Sequence, residues 1–190
     1  MFSRFSFGDE SELCRRKESV RTFGERLEMA QSGDRAAMVW VGNQYYSSTN
    51  PAVVSVDYEK AHYWYDRAAT LGSAQADYFL SLMQEQGTGC QRDEVLSGRY
   101  CLQAARLGYP EAMFWTGIYF QEGSHGFEKS PATAYKYFQR ARGAGFRHDD
   151  LDSLLHAVES GKDGEAVDEL YPSNPRSPKT ERTHSFLDIF

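Results

Sequence analysis

The sequence predicts an all-α fold: an α/α superhelix, or solenoid, of about three stacked helix pairs with a capping helix at each end. Two observations carry this. Four stretches align on a glycine, namely Met29-Ala30-Gln31-Ser32-Gly33, Ala68-Ala69-Thr70-Leu71-Gly72, Ala104-Ala105-Arg106-Leu107-Gly108 and Ala141-Arg142-Gly143-Ala144-Gly145, with glycine spacings of 39, 36 and 37 residues. Small residues also recur at fixed offsets: Ala37, Ala76 and Ala112 four residues after the glycine, and Gly42, Ser81 and Gly117 nine after it. A period of this length marks a stacked array of supersecondary units.

Each unit divides into two helices. The first is expected over Asp34 to Tyr46, Ser73 to Glu85 and Pro110 to Glu122. The second is expected over Asp57 to Ala69, Asp93 to Ala105 and Pro131 to Arg142. Ala61, Ser97 and Ala134 recur in the second helices, followed by aromatics at Tyr63-Trp64-Tyr65, Tyr100 and Tyr135-Tyr137-Phe138. Small residues let helices approach, and rings fill the wider gaps between them.

The punctuation agrees. The aligned glycine follows each second helix, where a left-handed residue is least costly without a Cβ. Ser130-Pro131 sets a capping hydroxyl before a proline at the first helical position. Asp57 and Asp93 are candidate caps of the other two second helices. The first unit carries extra residues near Ser47-Ser48-Thr49-Asn50-Pro51, so a longer, exposed loop is expected there. The end units need covers. Arg15 to Ala30 can supply one. Arg147 to Ser160 can supply the other, with Leu151, Leu154, Leu155 and Val158 at helical spacing.

The units resemble the Sel-one-like repeats, short relatives of the tetratricopeptide repeat. The resemblance spans Leu27 to Gly145 and is strongest at Lys60-Ala61-His62-Tyr63-Trp64-Tyr65-Asp66-Arg67-Ala68-Ala69-Thr70-Leu71-Gly72. The second unit departs from it, with Gly98 where an aromatic or charged residue is usual. The resemblance implies an interaction scaffold or adaptor of bacterial style, without catalysis.

Composition narrows the function classes. The chain has 190 residues, 41% hydrophobic and 25% charged, with a formal charge of −6. No long basic run offers phosphate contacts, so nucleic acid is not an expected partner. No stretch of eighteen apolar residues is present, so membrane insertion is not expected either. The N-terminus lacks the apolar region of a secretory signal, which makes the cytoplasm the expected location. Cys14, Cys90 and Cys101 form no C-x-x-C pair and are expected to be reduced.

No nucleophile elbow, H-E-x-x-H or phosphate-loop motif occurs, so no catalytic residue is nominated and no enzyme is expected. His148-Asp149-Asp150 with His156 reads as a solvated turn and helix face rather than a metal site. No metal and no cofactor are expected. Relatives reported to bind β-lactam-type molecules carry paired cysteines in each repeat, a pattern that Cys90 and Cys101 do not follow.

By the tetratricopeptide analogy, first helices line a concave groove. The groove positions fall 6, 10 and 13 residues after the aligned glycine: Val39, Asn43 and Tyr46; Tyr78, Leu82 and Glu85; Phe114, Ile118 and Gln121. An exposed stripe of Tyr78, Leu82, Phe114 and Ile118 would bind a partner protein or peptide, unless a capping helix or the tail covers it. Trp40, Phe79 and Trp115, one residue further on, are expected in the core.

Residues 1–14 are expected to be a flexible N-terminus, 15–160 the repeat domain, and 161–190 a disordered tail rich in proline at first and ending Ser185-Phe186-Leu187-Asp188-Ile189-Phe190. Three functions remain open: an adaptor scaffold, a dedicated inhibitor or immunity-type protein that masks a toxin or enzyme, and, from another class, a hydrolase or small-molecule binder.

Overall fold

The computed structural model describes residues 20–159, apart from residues 21, 49 and 50. The segments 1–14 and 161–190, with Cys14, lie outside the described residues. Helix α1 covers residues 22–31. It is followed by α2 (Arg35–Tyr46), α3 (Tyr58–Thr70), α4 (Ala74–Gln86), α5 (Glu94–Arg106), α6 (Pro110–Glu122), α7 (Pro131–Gly143) and α8 (Asp149–Glu159). Among the described residues there is no strand.

The helix ends follow local chemistry. Asp57 and Asp93 accept from the backbone N–H of Lys60 and Leu96 at 3.0 and 2.9 Å. Ser130 caps α7 ahead of Pro131, and Ser73 and Asp34 cap α4 and α2. Each such bond satisfies one of the N–H groups that a helix start leaves without a partner. The four aligned glycines follow their helices with φ of 103°, 77°, 101° and 86°, a region that disfavours any residue with a Cβ. The first-unit connection, 47–57, is longer than 87–93 and 123–130; its Thr49 and Asn50 lie outside the described residues.

Helices pack mainly against their neighbours in sequence, α2 on α3, α4 on α5 and α6 on α7, with α5 on α6 and α3 on α4 joining the units. Ala37, Ala76 and Ala112 are fully buried, as are Ala61, Ala68, Ala104, Ala134 and Ala141. Within a unit, large and small residues are matched. A Cβ on Gly42 would stand 2.7 Å from the Tyr65 ring, and one on Gly117 would meet the ring of Phe138. In the middle unit the same places hold Ser81, whose hydroxyl donates to the Tyr78 carbonyl at 2.8 Å, and Cys101. A small thiol therefore takes the slot of a ring, and a hydroxymethyl refills part of the volume. The serine thus recovers part of the volume that the absent ring gives up, in the direction that close packing favours.

The ends are covered. Phe23 of α1 packs against Trp40 and Tyr45. Leu151, Leu154 and Leu155 of α8 are buried.

Candidate functional site

The structure places most of the expected groove stripe in the core. Val39, Tyr78, Leu82, Phe114, Ile118 and Gln121 are buried, with Phe114 at 0% exposure. The expected exposure of Tyr78, Leu82, Phe114 and Ile118 is thus corrected, and the cause is local. The residue just after the aligned glycine of each following unit covers the sixth position of the unit before it. The Tyr78 ring lies 5.0 Å from that of Tyr109, and the Phe114 ring 5.2 Å from that of Phe146. His148 stacks on Phe114 from the entry to α8, at 4.5 Å. The alanine positions draw the units so close that the stripe becomes inter-unit core.

Asn43, Tyr46 and Glu85 stay half-buried, but each is engaged. Asn43 accepts from the Tyr65 hydroxyl at 2.7 Å. The Tyr46 hydroxyl donates to Gln86 at 3.3 Å. Glu85 Oε2 lies 2.7 Å from His125 Nε2. Of the aromatics expected in the core, Phe79 is buried and stacks on Tyr65 at 4.9 Å. Trp40 and Trp115 are only half-buried, and the Arg26 guanidinium sits over the Trp40 ring.

His125 joins three groups that could suggest hydrolysis. Its Nδ1 lies 3.0 Å from Ser124 Oγ, and its Nε2 meets Glu85. The hydroxyl, however, donates to Glu122 at 3.2 Å. The imidazole is sandwiched against Tyr119 with ring centres 3.8 Å apart. A nucleophile must face a substrate as well as a base; this set closes on itself and fastens the loop of the third unit to α4. His148 and His156 stand apart from it. Among the described residues, no group of three His, Cys, Asp or Glu side chains is placed to hold a metal ion.

Of the two described thiols, that of Cys101 is buried and that of Cys90 half-buried. Cys101 donates to the Ala112 carbonyl at 3.5 Å and lies 3.5 Å from Thr116 Oγ1; burial pushes its thiol up to about 12. Cys90 is also raised by burial and donates to the Met83 carbonyl. Thiols in apolar surroundings resist ionisation and so lose nucleophilicity.

The exposed apolar surface lies elsewhere. Leu71 and Leu107 are 50% and 47% exposed, each just before an aligned glycine, and Met29 is exposed four residues before Gly33. Leu71 and Leu107 stand at the same place in successive units, where a second helix turns into the next first helix. On the outer side of α3, Tyr63 is 54% exposed, with the Arg67 guanidinium over its ring and that of Trp64. The reading of the sequence missed the leucines, although the repeat itself marks them: a side chain at the cap, next to a left-handed glycine, points away from the helix pair.

The geometry defines an α/α repeat protein whose exposed apolar residues recur with the repeat. Residues 35–73, 74–109 and 110–146 each match the Sel1 repeat, and the chain belongs to the Sel1 repeat family. Sel1 repeat proteins are generally protein-interaction scaffolds. A Sel1 repeat protein from Oxalobacter formigenes is 26% identical, with a TM-score of 0.63, over 72% of this chain and 98% of that one. The protein c5321 of uropathogenic Escherichia coli, a protective antigen with the same repeat fold, is 26% identical with a TM-score of 0.64. That match covers 78% of this chain, which spans only 32% of the antigen. Cysteine-rich protein B of Helicobacter pylori shares the fold, at 18% identity and a TM-score of 0.55 over 74% of this chain and 95% of that one. Among curated protein sequences none matches. No described helix is long and apolar enough to cross a membrane.

Proposed function

We propose that the protein is a non-enzymatic scaffold or adaptor that binds another protein along the edge carrying Met29, Leu71 and Leu107. The observation that supports this is an exposed leucine at one place, just before the aligned glycine, in two successive units, Leu71 and Leu107, with Met29 also exposed near the end of α1. Single exposed leucines are ordinary, but an aligned series forms a contact edge. The buried stripe through Tyr78 and Phe114 then serves as the rigid support, and Asn43, Tyr46 and Glu85 form its half-exposed margin. The absence of a C-x-x-C pair and the raised thiols of Cys90 and Cys101 suit a reducing compartment, the cytoplasm of a bacterium.

A dedicated inhibitor would use the same edge. The net charge of −6 suits a basic target. The test is quantitative affinity capture from the native host with the wild type and with the double variant Leu71→Glu, Leu107→Glu. Both residues are about half exposed, so the variant should fold. Proteins captured by the wild type and lost from the variant are the expected result. An identical set from both would remove the edge from the binding surface, and a captured toxin would favour the inhibitor.

A further inference from the structure

The loop between α6 and α7 turns at His125, the one position among the described residues where a residue other than glycine has positive φ. The second unit has Gly89 at that place. Glycine takes this conformation freely, whereas a histidine is strained in it. The contacts of the ring offset that strain, and together they fix which of its atoms carry hydrogen.

Glu85 Oε2 stands 2.7 Å from Nε2. A carboxylate has no hydrogen to give, so Nε2 is the donor. On the other side, the Ser124 hydroxyl lies 3.2 Å from Glu122 Oε2 and donates its single hydrogen there, again because the carboxylate can only accept. Ser124 Oγ is then the acceptor in its 3.0 Å contact with Nδ1. Both ring nitrogens are donors, and only the imidazolium has two N–H groups. The Tyr119 ring, with its centre 3.8 Å from that of the imidazole, offers a face that attracts a cation.

The charges around the ring agree. Glu85 faces it from α4, and Glu122 acts on it from the end of α6 through Ser124. Tyr119 of α6 stays neutral, because burial raises its phenol well above the ordinary value. From α5 the contact is made by Gly98, which brings no charge, and the neighbouring Arg99 is exposed. Glu128 and Lys129, further along the loop, are exposed as well. The His125 side chain itself is only 9% exposed, so water does little to replace a lost partner.

We propose that His125 is a pH-sensitive latch: as imidazolium it ties the α6–α7 loop to Glu85 and Ser124 at once, and on losing a proton it must release one of the two. A neutral ring keeps a single N–H. With that hydrogen on Nε2, the Ser124 hydroxyl has to choose between Nδ1 and Glu122. With it on Nδ1, a bare Nε2 faces the Glu85 carboxylate, and the loop of the third unit loses its tie to α4 of the second. Histidine is the side chain that changes charge near neutral pH, so the seating of the loop responds to modest acidification or its reversal.

The test is NMR of the isotope-labelled full chain, with hydrogen exchange on the same samples. At pH 5.5 both ring nitrogens of His125 should carry hydrogen. The Phe127 amide, bonded across the loop to the Ser124 carbonyl at 3.0 Å, should lose roughly ten-fold in protection between pH 5.5 and 8, the effect of weakening one charge-assisted bond. Protection is taken relative to the intrinsic exchange rate at each pH. His125→Asn, which tolerates positive φ and does not titrate, should show one level of protection throughout. Glu85→Gln keeps an acceptor but removes the charge, and should move the loss of the second ring hydrogen to lower pH. A bare ring nitrogen at pH 5.5, or wild-type protection that ignores pH, would overturn the latch. So would an equal loss in His125→Asn, which would place its cause elsewhere in the chain, or a titration that Glu85→Gln leaves where it was.

Discussion

The backbone of His125 lies against Gly98: a Cβ on Gly98 would stand 2.5 Å from the His125 carbonyl oxygen and 2.8 Å from its Cβ. The glycine that made the second unit look degenerate is thus the seat of the third unit's loop. His125 is also the one non-glycine residue with positive φ among those described, at 55°. The matching loop position in the second unit is Gly89, with φ of 70°. The bond to Glu85 and the stack on Tyr119 hold the histidine in a conformation that such residues seldom adopt. Gly98→Ala should therefore destabilise. Overpacking against backbone costs about 1–3 kcal/mol, more than the roughly 1 kcal/mol that alanine gains over glycine inside a helix. Thermal melting at equal protein concentration measures it, and an unchanged melt would mean that the loop does not rest there.

Phe114 separates core from groove. Fully buried among Phe138, Phe146 and His148, it should cost about 3–5 kcal/mol on change to alanine, as large-to-small changes in cores do. Denaturant unfolding reads that loss directly. A groove residue would instead leave the midpoint where it was and affect partner binding alone.

Asp77 predicts a pH dependence. Its carboxyl is raised to about 6 in the fold, so the folded state holds the proton more tightly than the unfolded chain. The stability it contributes is full below pH 4 and is lost as pH rises through about 6. Asp77→Asn should hence raise the melting temperature at pH 7.5 and change it little at pH 4. A variant gain that is equal at both values would assign the effect to shape.

The thiols give a kinetic prediction. With its thiol pushed up to about 12 and fully buried, Cys101 should react with a disulfide reagent at pH 8 only as fast as the protein opens. Cys90, half-buried and raised less, should react sooner. Peptide mapping after timed labelling distinguishes the two sites. Fast labelling of Cys101 in the native protein would contradict the packing described.

Much of the architecture was legible in the chain alone. Helix limits rest on local signals: Asp57 and Ser130 cap through their own side chains, and Gly72 and Gly108 stop helices by their own conformational freedom. These need nothing from distant residues. The period of small residues likewise announced the stacking, because only close helix crossings require alanine and glycine at fixed intervals.

The surface was another matter, and only the tertiary structure decided it. Tyr78 and Phe114 hold groove positions in any helix pair viewed by itself; what buries them is Tyr109 and Phe146, 31 and 32 residues further along the chain. How tightly units stack depends on the sum of many contacts, and one unit's sequence does not contain that sum. The same holds for Gly98, whose role exists only when His125 arrives. Asp77 stood in plain view against Met38 and Met113, yet its cost became visible only once the fold had buried it with no side-chain hydrogen bond among the described residues.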